Sequence, residues 1–376
     1  MASPQRSSGM ALFLVLGIIS VLAMLVSEFM IQSQVTQQIA YGNFDRLRAH
    51  YTAKSALKVS LLRIKGFGLL NNKLRDIAPP RQIAQIWSFP FIFPIPTEAI
   101  PVMARDNINA FQKSTHLEGS FTSQIQSESA KYNLSTLLEP SQRLGASPTP
   151  NPSASPFNPE SAITEFGTVL QSAFRQESLS NPDFADAHRD FNLTLFVDGI
   201  LAWSDQKHIR SGSPERDPVI MKKAPFYDIS ELHMLPQMDD EIFDLISPII
   251  SMQPNAPINV NAIKKGTLMS LFPEMTPEDA TAFFKFRDAT EIDNSFKKAD
   301  AFTNYLKNNV GLYIRSPTLF DDRIAAITGA GITFSTEEAS FRILVRAEVG
   351  SSAQHIEAFV TLNKDSTLRV SSIRFW

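Results

Sequence analysis

Residues 5–31, QRSSGMALFLVLGIISVLAMLVSEFMI, decide how the rest of the chain is read. Between Met10 and Val26 there is no charge, and with the flanking residues the run supplies about the ~20 apolar positions a helix needs to cross a bilayer core. This predicts one membrane crossing over 10–31. A secretory signal would carry a small-residue cleavage site after its apolar core, and no such pattern stands between Val26 and Val35. The break lies in front instead, where the hydrophilic stretch MASPQRSSG carries Arg6 and ends in Gly9, directly against the apolar run.

Beyond Val26 no proline interrupts the pattern until residue 79, and the sequence turns amphipathic. Ala53, Ala56, Leu57, Ser60, Leu61 and Ile64 recur at the three-and-four spacing of one helix face, with Arg46, Arg48, Lys54, Lys58 and Arg63 mostly elsewhere. Small apolar residues in that stripe suit packing on a sheet. Gly42 is an isolated helix weakener that would mark a bend, and Gly66 with Gly68 would end the helix. From 79 to 101 prolines crowd among aromatic and aliphatic residues, which predicts a packed, extended loop. Alternation around 120–126 predicts strand. Residues 141–158, SQRLGASPTPNPSASPFN, have no period and too little apolar surface to offset chain entropy, so they predict a loop inserted within a domain.

Helical patterning resumes at 163–176 and at 191–205, where Leu195, Val197, Ile200, Leu201 and Trp203 form the face to be buried. Ser230 is expected to cap a helix begun by Glu231. In 257–288 Asn259 and Asn261 are expected to cap and brace one helix, and Thr276 with Glu278 and Asp279 to start the next. Residues 296–306 add another helix, and 339–376 read as three antiparallel strands with turns at 350–353 and 363–366.

Composition narrows the function classes. At 376 residues the chain has room for two or three compact units besides an anchor, and a net charge of −3 gives no electrostatic footprint for nucleic acid. Zero cysteines exclude disulfides, thiolate zinc sites and thiol catalysis. The six histidines form no HExxH, no i,i+4 pair and no ligand-spaced cluster, and no nucleophile elbow, P-loop or dinucleotide fingerprint occurs. Asp239/Asp240 and Asp321/Asp322 read as solvated helix ends, so an enzyme is not expected.

The Gly9–Met10 boundary resembles the class III leader of type IV pilins and pseudopilins, which a prepilin peptidase cuts after the glycine. That resemblance implies cleavage between Gly9 and Met10 and makes Leu14 the fifth mature residue. Most pilins carry Glu there, and its absence is typical of the K-type minor pseudopilins of type II secretion, whose position at the pseudopilus tip leaves no subunit above. Further segments resemble the same family: AKYNLSTLL at 130–138, the tryptophan segment with Trp203 and Asp205, the stretch 227–250, the NVN motif of 258–288, and the closing strands. The resemblance spans most of the chain outside 67–117 and 140–160.

It implies an α+β pilin fold, a long membrane helix packed on an antiparallel sheet with a large inserted all-α domain of helix-hairpin-helix or SAM-like units. The expected plan is a leader (1–9), a transmembrane helix (10–31), its periplasmic continuation (32–66), the first part of the pilin domain (67–133), one helical unit (134–256, with the Pro-rich loop 140–160), a SAM-like unit (257–312) and closing strands (313–376). The implied partners are the other minor pseudopilins, the major pseudopilin, the inner-membrane secretion platform and the prepilin peptidase, with the bulk in the periplasm of a Gram-negative bacterium. Some members bind calcium after the tryptophan helix. Here Asp205, Glu215 and Asp217 are the available acids, and Lys207 replaces one the family supplies and opposes a cation. The motif at 258–288 also resembles membrane-anchored competence-type DNA-binding modules, but the hairpins PEMT and PQMD lack the glycines that let backbone N–H groups reach phosphate. A type IV pilus minor pilin would share the leader and sheet without requiring the inserted domain.

Overall fold

The computed structural model describes residues 7–74, 77–96, 101–138, 158–208, 221–252, 257–289 and 291–376. Helix α1 (Ser7–Leu74) is 68 residues long, roughly 100 Å at the usual rise per residue. It is followed by α2 (Pro80–Ser88), β1 (Phe91–Phe93), α3 (Val102–Ser114) and β2 (Ser120–Ser127). A mainly helical stretch comes next, with β3 (Tyr132–Asn133), α4 (Pro159–Ser180), α5 (Pro182–Ala187), α6 (Leu193–Ser204), α7 (Asp240–Ile246), β4 (Ile250–Ser251), β5 (Ile258–Asn259), α8 (Lys265–Leu271), α9 (Pro277–Arg287), α10 (Ala299–Asn309), α11 (Gly311–Arg315), α12 (Pro317–Gly329) and β6 (Phe334–Ser335). The chain closes with β7 (Ser340–Val349), β8 (Ser352–Leu362) and β9 (Leu368–Phe375).

Five strands form one antiparallel sheet in the order β1-β2-β7-β8-β9. The second half of α1 lies on it through Ala53, Ala56, Leu57, Ile64 and Phe67, facing Phe341, Ile343, Val345, Ile356 and Ala358. The alanines carry so little side chain that helix and sheet backbones approach closely, and Ser60 follows them into the interface. Its hydroxyl bonds Ala56 O at 2.8 Å and Ser123 Oγ at 2.5 Å.

The structure corrects the expected helix end and the expected proline-rich loop. Helix α1 runs through Gly66 and Gly68 to Leu74, because Ile64 and Phe67 are held in the core and packing outweighs a glycine's cost of about 1 kcal/mol. Gly68 serves close approach instead: a Cβ there would crowd Leu362 and Ser366 of the sheet. The proline-rich stretch is not all loop. Pro80 stands in the first turn of α2, where its missing N–H costs nothing, and the helix buries Ile83 and Trp87. Strand β1 lies between Pro90 and Pro94 at the sheet's edge, the place where flanking prolines are tolerated.

All of the helical region from β3 to β6 is inserted between β2 and β7, and it has its own core built on Phe166, Leu170, Phe196, Ile200, Phe272 and Phe302. Two short parallel pairs, β3–β4 and β5–β6, staple it. Helix α6 buries Val197, Ile200, Leu201 and Trp203 as expected, whereas Leu195 in its first turn is 41% exposed. The cap expected of Ser230 belongs to Asp228, whose Oδ1 accepts from Ser230 N at 2.8 Å to open a 3₁₀ turn over Ile229–Met234. Thr276 and Asp279 form the expected reciprocal cap of α9. Helix α8, in contrast, starts without a side-chain cap; Asn261 instead exchanges two hydrogen bonds with the backbone of Phe296. Residues 313–329, expected with the closing strands, lie in α11 and α12, whose Tyr313, Phe320 and Ile327 belong to the helical core.

Candidate assembly site

Two features of this architecture bear on function: a bare apolar arm and a braced helical insert. Along the arm Met10, Phe13, Leu14, Ile18, Val21, Leu22 and Leu25 are all exposed, so no side of the helix finds cover among the described residues. Among the described residues one helix is long and apolar enough to cross a membrane, by length and composition. An uncovered run of this size is stable only in lipid or against other apolar helices. Leu14 sits on it at 61% exposure, without a carboxylate to offer a neighbour's amine. Gly9 lies within the backbone of α1 beside Met10.

The insert is fixed to the sheet at several points. Arg81 of α2 donates to the carbonyls of Asp288 (3.0 Å) and Ala289 (2.9 Å) at the end of α9. On the far side Arg374 of β9 pairs with Asp228 of the insert and lies 3.9 Å from Glu357, which Arg342 also holds at 2.5 Å. Between them Glu338, just before β7, accepts from Ser127 Oγ at 2.7 Å and from Asn259 Nδ2 at 2.8 Å. Burial pushes its carboxyl up to about 7, against the lowering effect of these donors.

Inside the insert Arg323 makes a bidentate pair with Glu165, at 2.7 and 2.6 Å, and donates to Leu271 O at 2.6 Å. Both side chains are buried, and burial raises the Glu165 carboxyl despite the arginine. Sequence reading missed Glu165, Glu338 and Asp228. For Glu165 a signal existed: it occupies the apolar stripe Ala162, Phe166, Val169, Ala173, where a carboxylate requires a partner.

Of the acids proposed for calcium only Asp205 lies among the described residues. Asp205 closes a turn by accepting from Lys207 N at 2.9 Å, and Glu215 and Asp217 lie outside the described residues. No cluster of three metal-ligating side chains occurs among the described residues. In the PEMT hairpin Glu274 accepts from Tyr313 OH at 2.8 Å, and Asp279 is spent on the α9 cap. Asp239 caps α7 and faces His188 Nε2 at 2.8 Å, and Asp321 pairs with Lys307 at 2.7 Å.

A sheet-packed anchor helix with an all-α insert between two strands defines a pilin-like α+β protein. No protein-family model matches the chain, and no curated protein matches its sequence. Among solved structures it is similar to a chain of the GspK-GspI-GspJ complex from the enterotoxigenic Escherichia coli type 2 secretion system, at 14% identity and a TM-score of 0.56, over 90% of this chain and 99% of that chain. The fold matches that of GspK.

Proposed function

We propose that this chain is a K-type minor pseudopilin that initiates the type II secretion pseudopilus and occupies its tip, supporting protein export across the outer membrane. The observation that carries the reading is the fold likeness over 90% of the chain to a component of a type 2 secretion complex. Its partners would be the other minor pseudopilins, packing along the bare arm, then the major pseudopilin and the inner-membrane platform. The arm would anchor the protein in the inner membrane, with sheet and insert in the periplasm. The work is assembly: the insert is broad, braced on both sides of the sheet, and no subunit could stack above it.

Two experiments test this. A prepilin peptidase should cut between Gly9 and Met10, and Gly9→Val should leave the longer form; N-terminal sequencing that finds Met1 retained, or a cut after Val26, counts against the reading. Leu14→Glu should lower secretion, since an unpaired carboxylate in an apolar filament core costs several kcal/mol, roughly, unless protonated. If secretion improves or is unchanged, Leu14 does not mark a tip subunit.

A further inference from the structure

The chain passes between sheet and insert twice, outward after β2 and back before β7, and the two crossings lie side by side. Glu128 N–H donates to Ser340 O at 2.8 Å, and Ser129 Oγ accepts from the N–H groups of Ala339 (3.1 Å) and Ser340 (2.8 Å). Ser129 O accepts from Asn259 N at 2.7 Å, which ties β5 of the insert into the same place. At the centre stands Glu338, 8% exposed. One of its oxygens takes the Ser127 hydroxyl and the other takes the Asn259 amide, so one carboxyl holds the outgoing strand, the returning strand and the insert together. A cleft of about 300 Å³ adjoins it, lined by Arg81, Trp87, Asn259, Arg287, Ser295 and Glu338 itself.

We propose that this neck is a proton-gated latch: with Glu338 neutral the two crossings and Asn259 stay knotted, and with Glu338 ionised the knot opens toward the adjoining cleft and loosens the insert on the sheet. The inference stands on the neck alone and is independent of the secretion reading. Every donor reaching Glu338, from the Ser127 and Ser129 hydroxyls, the Asn259 amide and the Ser129 backbone N–H, is neutral, so no cation compensates an ionised carboxylate inside the closed knot. The charged groups of the surrounding elements are engaged elsewhere. Glu128 pairs with Lys131 at 2.8 Å on the outgoing strand, Arg287 with Asp288 at 2.8 Å at the end of α9, and Arg81 of α2 with two carbonyls; Glu337 neighbours Glu338 in sequence. Opening brings water from the cleft to the carboxylate, which is what the closed state denies it.

The sign follows from burial. Glu338 binds its proton up to about 7 in the closed neck, against an ordinary 4.5 once opened to water. Closure is therefore fully supported below the ordinary value, weakens as pH rises through the window between the two, and levels off above about 7.

The test is amide hydrogen exchange on the full-length chain in detergent, corrected for intrinsic rates, following the amides of residues 128, 259, 339 and 340. From pH 5 to pH 8 their opening should increase by roughly one to two orders of magnitude in the wild type. Amides of the β7–β8 ladder, Ile343 and Ile356 among them, should stay protected. Glu338→Gln keeps an acceptor for Asn259 and offers an N–H that the Ser127 hydroxyl can accept, so it mimics the neutral acid and should flatten the profile to within about twofold. Ser127→Ala removes a hydrogen bond from both forms, the stronger one from the ionised form, and should extend the window to higher pH. A wild-type profile already flat, one unchanged in Glu338→Gln, or one unmoved in Ser127→Ala overturns the latch.

Discussion

The two halves of α1 share one unbroken helix and have opposite fates. Up to Val26 the helix is apolar on every side, and up to about residue 40 nothing among the described residues covers it; from Ala49 to Phe67 one stripe is buried and the rest is wet. The difference lies in pattern more than in hydrophobic content. An all-round apolar helix has no preferred face, so it can be satisfied only by a surrounding apolar medium, whereas a striped helix is satisfied by one sheet. On the proposed function the first half serves assembly while the second carries the stability of the fold, and equivalent substitutions in the two should register in different assays.

The largest effect expected from breaking that division comes from removing a large side chain on each side of it. Ile64→Ala empties a fully buried site against the sheet and should cost about 2–5 kcal/mol, read as a lower denaturant midpoint. Leu22→Ala, at a side chain 54% exposed, should leave that midpoint within ~0.5 kcal/mol and reduce co-purification with partner helices instead. If Leu22→Ala destabilises the folded part as much as Ile64→Ala does, the division of labour fails.

Ser60→Ala sharpens the comparison within the buried stripe. Ser60 and Ser123 satisfy each other between helix and sheet, and both are fully buried. Removing one hydroxyl strands the other, at a cost of about 1–3 kcal/mol. Replacing both by alanine should recover much of the loss, since two apolar groups of similar shape need no partner. A double variant worse than Ser60→Ala would mean the pair does more than satisfy itself.

The contrast between the halves was readable from sequence because it rests on local periodicity. The uncharged run from Met10 and the spacing of Ala53, Ala56, Leu57 and Ile64 each declare a helix and its surroundings within a few turns. The closing strands and the Thr276–Asp279 cap were legible for the same reason. Helix α2 was not, because Pro80 reads as a breaker until one knows that it opens the helix. Nor were the clamps of the assembly site. Glu165 and Arg323 lie 158 residues apart, Ser127 and Glu338 lie 211 apart, and pairing at such range leaves no spacing rule to find. Of the residues read as functional from sequence, Leu14 lies on the bare arm, and Asp205 is in a turn of its own.

Gly42 sits at the border of the two halves and gives the smallest and most discriminating test. The sequence predicts a bend there, yet the helix passes through without a break, and a Cβ added at Gly42 would meet nothing within 4 Å. With the site helical and open, Gly42→Ala removes backbone freedom from the unfolded chain and adds no clash, so the helix should gain about 1 kcal/mol. The gain should appear as slower amide exchange between residues 38 and 46 in the detergent-solubilised chain, with the denaturant midpoint of the sheet little changed, because the nearby tie to the β7–β8 turn runs through Asp45, which accepts from Ser351 N at 3.5 Å, and not through Gly42. Secretion then decides what the glycine is for. If Gly42→Ala stiffens the helix and export is unaffected, the arm and the folded part work as one rigid rod. If export falls while the fold is no less stable, the helix must yield at this border when the arm leaves the bilayer, and the comparison of the halves becomes one between two bodies joined by a hinge.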